Sequence, residues 1–305
     1  MYISIHGDQK NLNPIRHEVE ELKSLWKNNN QQYEAYMPDL TSDTATNFMR
    51  KIFEPAVCHD VMFDANELSW LYSFAFTGCH NVRHNANGTI FISGNLDIAA
   101  TKFIDKLEKI VPGCSQSPAV GGNFLITPSQ YGLHNDSTRR SDWENSLRKV
   151  SEDNEMRRYT PWRNVLIPMW IGNTPDTVSH GVFFRQRHCD FAHVYNHASS
   201  APPPATTYPI CSDHSTVQFY DNDGSIIPKE LNSIPYDEAH HKTYLSYTPR
   251  ARLTGLIPEI TAEWIPGAPY VFDAVQLHAT NKGTIPGQQW SVKMGLLLTF
   301  LKEIK

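Results

Sequence analysis

The chain has 305 residues, and 27 lysine and arginine residues against 32 aspartate and glutamate residues give it a formal net charge of −5. This acidic balance argues against a protein that holds nucleic acid by electrostatic attraction. Hydrophobic residues make up 40% of the chain, which is enough for a packed core and excludes a mainly disordered protein. The composition therefore indicates a globular protein, and its fourteen histidines are the one figure that hints at chemistry.

No targeting or membrane segment is apparent. The first residues contain no apolar run of the kind found in a signal peptide. The longest apolar stretch, Met294–Leu301, is much shorter than the roughly 20 residues that a membrane span needs. The five cysteines form no C-x-x-C pair, and their odd number fits a reducing compartment. We therefore expect a soluble, cytoplasmic protein without a membrane or nucleic-acid partner, and its oligomeric state is not encoded in any recognisable pattern.

The first part of the chain, residues 1–115, is predicted to be rich in helices. Apolar residues recur there at three- and four-residue steps, which gives each segment one face to bury. We interpret these helices as a layer that packs on a sheet within the same domain. The predicted helices are Pro14–Lys27, a segment from Thr41 toward Phe53, Glu67–Phe76 and Leu96–Val111.

Residues 116–305 are predicted to form a β-rich core. Short runs of β-branched and aromatic residues are separated there by Gly, Pro, Asn and Asp, a pattern typical of an antiparallel sandwich or barrel. A polar, proline-rich stretch at about 190–254 interrupts the core and predicts an insertion, either a lid over the barrel mouth or a surface arm. The predicted strands include 123–127, 163–171, 177–184, 270–272 and 291–300.

A histidine and an aspartate are spaced for metal binding at His134-Asn135-Asp136. In an extended chain the side chains of residues i and i+2 project from the same face, so the imidazole and the carboxylate can converge on one ion. About one or two H-x-D/E matches are expected by chance in this composition. The motif also occurs at His6/Asp8 and His188/Asp190. We favour His134/Asp136 over His188/Asp190, because a predicted strand precedes it and another follows the intervening loop.

A second histidine and a lysine lie far downstream. His278 follows an apolar strand that is introduced by a Pro-Gly turn, and Lys293 stands fifteen residues later within another apolar strand. A lysine in such a strand is costly to bury unless an anion neutralises it. Strand alternation could instead direct Lys293 to solvent.

Across about residues 120–300 the sequence resembles the Fe(II)/2-oxoglutarate-dependent oxygenases. Residues 264–281, in which a Pro-Gly turn precedes an apolar strand and a histidine, are similar to the corresponding segment of the phytanoyl-type and aspartyl-hydroxylase-like members. The resemblance implies a double-stranded β-helix, the jelly-roll fold of the cupins, with N-terminal helices packed on its sheet. It also implies His134, Asp136 and His278 as ligands of Fe(II). Two imidazoles and one carboxylate leave coordination positions open for 2-oxoglutarate and O₂.

Four further residues are candidates for binding the co-substrate or lining the pocket, and the resemblance bears on the first of them. Lys293 falls where most members carry an arginine that binds the distal carboxylate of 2-oxoglutarate, although lysine offers a point charge instead of a two-pronged donor. Arg163 could help to hold an anionic substrate or co-substrate, and Asn123 and Tyr131 could line the pocket. The implied activity is hydroxylation of a C–H bond in a small metabolite or amino-acid-like substrate, with release of succinate and CO₂. The alternatives are a peptide side-chain hydroxylase, a cupin-like metal-binding or isomerase-type protein without 2-oxoglutarate, and a non-catalytic interaction protein in which the H-x-D match is coincidental.

Overall fold

The computed structural model describes residues 48, 50–84, 88–127, 131–136, 148–150, 156–171, 178–189, 219–281 and 292–304. We number the helices and strands of these ranges in chain order. They are β1 Val57–Cys58, α1 Ala65–Thr77, β2 Asn81–His84, β3 Ile90–Ser93, α2 Leu96–Lys102, α3 Ile104–Ile110, β4 Val120–Thr127, β5 Tyr131–His134, β6 Arg148–Val150, β7 Met156–Ile171, β8 His180–Arg187, α4 Glu238–Tyr244, β9 Pro258–Glu263, β10 Tyr270–Asp273, β11 Gln276–Thr280 and β12 Lys293–Glu303.

The strands form two antiparallel sheets. The larger sheet has the order β1-β10-β7-β12-β4-β3-β2, with β6 paired to β7, and the smaller sheet has the order β5-β11-β8-β9. From β4 to β12 the chain passes repeatedly between the two sheets, so that four strands of each form a two-sheet jelly roll. This is the strand order of a double-stranded β-helix, and the predicted fold class is confirmed.

The side chains of β12 show that one face of the larger sheet packs against the helices and the other faces the smaller sheet. Met294, Leu296 and Leu298 pack in the cluster that includes the helices, whereas Leu297 packs in the cluster between the sheets. Because successive side chains of a strand alternate between faces, Lys293 shares the inner face with Leu297. The space between the sheets is therefore where the candidate site residues can meet.

The helix predicted at Glu67–Phe76 is present as α1, which begins two residues earlier and ends one residue later. The Asp64 carboxylate accepts hydrogen bonds from the backbone N–H groups of Asn66 and Glu67, and the Glu67 side chain accepts from the Asp64 N–H. This reciprocal capping satisfies N–H groups that have no partner within the helix. The buried side chains of Trp70 and Phe74 then pack toward the larger sheet.

The predicted helix Leu96–Val111 is present as two helices, α2 and α3, which meet at Phe103. The Phe103 ring packs edge-on against Phe63 and Trp70, and its backbone leaves the helical conformation with ψ at 19°. Tertiary packing of this ring accompanies the break that periodicity did not predict. The predicted helix at 14–27 lies outside the described residues. No helix in the described ranges is both long and apolar enough to cross a membrane.

The described part of the predicted insertion, residues 219–254, packs on the outer face of the smaller sheet. Gln186 on β8 binds the chain just after this segment. Its side-chain amide donates to the Gly255 carbonyl at 2.6 Å and accepts from the Ile257 N–H at 3.0 Å. Residues 219–254 thus cover the outer face of the sheet and not the space between the sheets. The buried apolar side chains at this contact include Leu133, Val182, Phe184, Phe219, Tyr236, Leu245, Leu253 and Leu277.

Candidate metal centre

Two histidines face each other across neighbouring strands of the smaller sheet. His134 on β5 and His278 on β11 are direct cross-strand partners, and their ring centroids are 4.2 Å apart. Both side chains are buried, with 6% and 4% exposure. Their strand neighbours Leu133 and Leu277 pack on the outer face, so both imidazoles point between the sheets.

Asp136, two residues after His134, completes a cluster of three ligand groups. Its Oδ1 lies 3.3 Å from His134 Nε2, and its Oδ2 lies 3.3 Å from His278 Nε2. One ligand atom from each residue lies within 4.8 Å of the others. Among the described residues this is the only group of three His, Cys, Asp or Glu side chains with such a geometry. The convergence expected from the H-x-D spacing and the distal histidine is therefore present.

Both imidazoles are held with the same nitrogen toward the cluster. His134 Nδ1 lies 2.6 Å from the Gly132 carbonyl oxygen, and His278 Nδ1 lies 3.0 Å from the Gln276 carbonyl oxygen. A carbonyl oxygen only accepts hydrogen bonds, so each Nδ1 carries the proton and donates it. In the neutral rings the Nε2 lone pairs then point at the Asp136 carboxylate, which is the arrangement found for metal-bound histidine.

The charge states of the cluster favour a cation. Burial lowers the pKa of His278 to about 4, so its ring is neutral at neutral pH. Burial alone would raise the pKa of Asp136, but the positive charge that the two histidines carry when they are protonated, together with a hydrogen bond from Asn164, outweighs it. The pKa therefore lies below its ordinary value, and Asp136 is already ionised at the pH where His278 has lost its proton. The neutral His278 ring and the ionised Asp136 therefore direct lone pairs at each other without a proton between them. A divalent cation fits this donor set, because it offsets the repulsion among the three ligands.

Asn164 is a member of the site that sequence reasoning missed. It lies on β7 in the larger sheet, and its Nδ2 donates to Asp136 Oδ2 at 2.8 Å. Its own Oδ1 is buried and has no hydrogen-bond partner. The sequence signal that could have identified it is an asparagine at the start of the apolar run 163–171, because an amide that is buried there needs a hydrogen-bond partner.

Aromatic rings surround the two histidines. The centroid of Phe272 lies 4.7 Å from that of His278, and the centroid of Phe183 lies 5.7 Å from it. Tyr131 lies edge-on against His134 at 4.4 Å, so the structure brings this predicted pocket residue to the cluster. Rings at these distances exclude water and lower the local dielectric, which strengthens electrostatic interactions inside the site.

Lys293 is buried between the sheets, with 1% exposure, so the alternative that it faces solvent is wrong. Its Nζ donates to the Asn281 carbonyl at 2.6 Å and to Ser179 Oγ at 3.1 Å, and it lies 5.0 Å from the centroid of the Trp264 ring. Burial lowers the pKa of this amine to about 7. No carboxylate forms an ion pair with Lys293 in the described part of the chain.

The inner surface between Lys293 and the histidines carries buried polar atoms without partners. Thr280 lies between His278 and Asn281 on the inner face of β11, and its Oγ1 makes no hydrogen bond. Asn123 on β4 is the register partner of the inward-facing Leu297, and its Oδ1 is also buried and unpaired. Unpaired polar atoms are uncommon in protein interiors, and their presence here is typical of a surface that binds a polar ligand.

The structure does not bring Arg163 to this cluster. Arg163 precedes Asn164 on β7, and because successive side chains of a strand alternate, it points away from Asp136. Its guanidinium donates to Asp273 Oδ1 at 2.6 Å and to the Glu54 side chain at 2.5 Å. Arg187 donates to the other oxygen of Asp273. Arg163 is therefore held in a buried ion-pair network at the end of β10.

His188, the histidine of the competing His188/Asp190 motif, does not join the cluster. His188 follows the end of β8, its N–H donates to the Val275 carbonyl, and its ring faces Phe219 on the opposite side of the smaller sheet. Asp190 lies outside the described residues.

No protein-family model and no curated protein matches the chain. Similar solved structures include a Pseudomonas putida prolyl-4-hydroxylase, which is 9% identical with a TM-score of 0.39 over 84% of this chain and 97% of that one. HygX from Streptomyces hygroscopicus, with nickel and 2-oxoglutarate bound, is 12% identical with a TM-score of 0.39 over 86% and 87%. The epimerase SnoN, with Fe³⁺, alpha ketoglutarate and nogalamycin RO, is 8% identical with a TM-score of 0.38 over 84% of each chain. At such identities and TM-scores, function has to be inferred from this chain's own residues.

Proposed function

We propose that this chain is an Fe(II)- and 2-oxoglutarate-dependent dioxygenase that hydroxylates a C–H bond of a small molecule. The observation that carries the proposal is the cluster of His134, Asp136 and His278, in which both imidazoles turn Nε2 toward the carboxylate. Two imidazoles and one carboxylate are the ligand set of non-haem Fe(II) oxygenases.

The metal would be held by His134 Nε2, His278 Nε2 and a carboxylate oxygen of Asp136. Iron bound there would supply the activation of O₂ that is coupled to oxidative decarboxylation of 2-oxoglutarate. In the balanced reaction one oxygen atom enters the succinate carboxylate and the other enters the new hydroxyl group, with loss of CO₂. The protein's own part is to orient the reactants and exclude water, for which the rings of Phe183, Phe272 and Tyr131 are placed.

Lys293 would bind the distal carboxylate of 2-oxoglutarate. It is a buried amine on the inner face, and a buried cation requires an anionic partner to offset its desolvation. Ser179 Oγ accepts from the same amine at 3.1 Å and donates to the Asn281 carbonyl at 2.7 Å, so these contacts hold the amine in place. Thr280 Oγ1 and Asn123 Oδ1 are further polar groups on the surface between the amine and the histidines. This arrangement favours 2-oxoglutarate use over a cupin-like protein that needs no dicarboxylate.

The test is formation of succinate from 2-oxoglutarate by the full chain with Fe(II) and O₂, screened over candidate small metabolites and amino acids. His134→Ala and His278→Ala should abolish turnover, because each removes one of three ligands. His188→Ala should retain it, since His188 lies outside the cluster. Turnover that survives in both ligand variants would exclude the assigned ligands. Coupled turnover with a peptide but with no small molecule would favour the side-chain hydroxylase instead.

A further inference from the structure

We propose that Asn164 is a positioning residue of the metal centre, which holds the Asp136 carboxylate in the orientation that faces both histidines. Asn164 acts through Asp136, to which its amide donates a hydrogen bond. This inference rests on the metal centre proposed above, but not on the use of 2-oxoglutarate or on the nature of the substrate.

The two residues come from different sheets. Asp136 lies two residues beyond the end of β5 in the smaller sheet, and Asn164 lies within β7 of the larger sheet. Asp136 therefore lies where regular strand pairing no longer fixes the backbone, whereas Asn164 sits in a strand that is paired on both sides, to Phe272 on β10 and to Thr299 on β12. The hydrogen bond of 2.8 Å between them joins the less constrained ligand to a strand that is paired on both sides.

The orientation of the amide supports this role. Since an ionised carboxylate only accepts hydrogen bonds, the amide must turn its NH₂ group toward Asp136. In that orientation Asn164 Oδ1 is left buried without a partner. A residue that served packing alone would not leave a buried acceptor unpaired, because a leucine of similar size would fill the same space without that cost. The bond to Asp136 thus accounts for an amide at this position.

The bond also bears on how Asp136 can bind a metal. Asn164 occupies part of the lone-pair capacity of Oδ2, which leaves Oδ1 as the less engaged oxygen. Rotation of the carboxylate away from His134 and His278 would break this bond. Partners that orient a metal ligand in this way commonly contribute about 10–100-fold to metal affinity.

The experiment measures binding of Co(II) to the metal-free full chain without 2-oxoglutarate, by titration with visible absorption as the readout. Asn164→Ala and the similarly sized Asn164→Leu should each weaken Co(II) binding about 10–100-fold. Thr299→Ala is the matched control, because it opens space at the neighbouring inward position of β12 without removing a bond to Asp136. It should change the affinity less than about threefold, as expected for a side chain that does not orient a ligand.

A double-mutant cycle separates positioning from a general structural effect. If Asn164 acts through Asp136, Asn164→Ala should have almost no further effect on Co(II) affinity in an Asp136→Ala background. An equal loss in both backgrounds, or unchanged affinity in both Asn164 variants, would overturn the inference. Far-UV circular dichroism of each variant shows that the fold is retained. A wild-type chain that binds no Co(II) would refute the metal centre itself, and with it the proposed function.

Discussion

Replacing Lys293 by methionine should stabilise the co-substrate-free protein and at the same time weaken its binding of 2-oxoglutarate. Methionine has a similar length and no charge, so the packing above the Trp264 ring is largely kept. The Asn281 carbonyl also accepts from Ser179 Oγ at 2.7 Å, and the substitution therefore leaves it paired.

The magnitude follows from the pKa of the lysine, which burial lowers from 10.5 to about 7. At pH 8 the unfolded chain keeps this amine protonated, whereas the folded chain has lost most of the proton. By linkage this difference opposes folding by about 3 kcal/mol. The unfolded state binds more protons between pH 7 and 10.5, so wild-type stability should rise with pH across this window, and that rise should be absent from Lys293→Met.

The affinity for 2-oxoglutarate should fall in Lys293→Met, although the stability of the protein rises. Removing one partner of a buried charge pair costs about 2–5 kcal/mol, so the Kd of 2-oxoglutarate should rise at least about thirtyfold. Urea unfolding at pH 8 measures the stability, and anaerobic calorimetry with Mn(II) in the site measures the Kd. Lys293→Arg is the control that keeps a positive charge. An unchanged Kd in Lys293→Met would refute the role of Lys293 as the anion partner, and a lower stability would refute the argument from its burial.

Three further predictions concern pH, the ion-pair network and the attached segment. The Kd of 2-oxoglutarate should rise as pH increases above about 7 in the wild type, because Lys293 deprotonates, and it should stay flat in Lys293→Arg, because arginine keeps its proton. Asp273→Asn should lower the free energy of unfolding by about 3–5 kcal/mol, because it leaves the buried Arg187 without its counter-charge. Asp221→Asn removes the partner of the half-exposed Arg185 and should lower the free energy of unfolding by less than about 1 kcal/mol. Urea unfolding measures both changes. Tyr247→Phe removes a hydroxyl that donates to backbone carbonyls on β5 and β11, and thermal unfolding should show a loss of about 1 kcal/mol.

Short-range patterns predicted much of the fold. Runs of β-branched and aromatic residues identified β4, β7, β10 and β12 of the larger sheet and β8 of the smaller one, and apolar periodicity identified α1. The break at Phe103 was not predictable from periodicity, because it accompanies contacts with Phe63 and Trp70 that only the folded chain provides. The outer-face position of residues 219–254 likewise depends on their contacts with the smaller sheet.

For the site, the local spacing of His134 and Asp136 determined that these two side chains could converge, since the period of an extended strand is two residues. Their meeting with His278, which lies 144 residues after His134, required the antiparallel pairing of β5 with β11. The sequence left open whether Lys293 was buried or exposed, and the placement of β12 between β4 and β7 decided it. Adjacent residues Arg163 and Asn164 also received opposite roles in the folded chain. Strand alternation turns one toward Asp273 and the other toward Asp136, and only the packing of the two sheets determines which face becomes the interior.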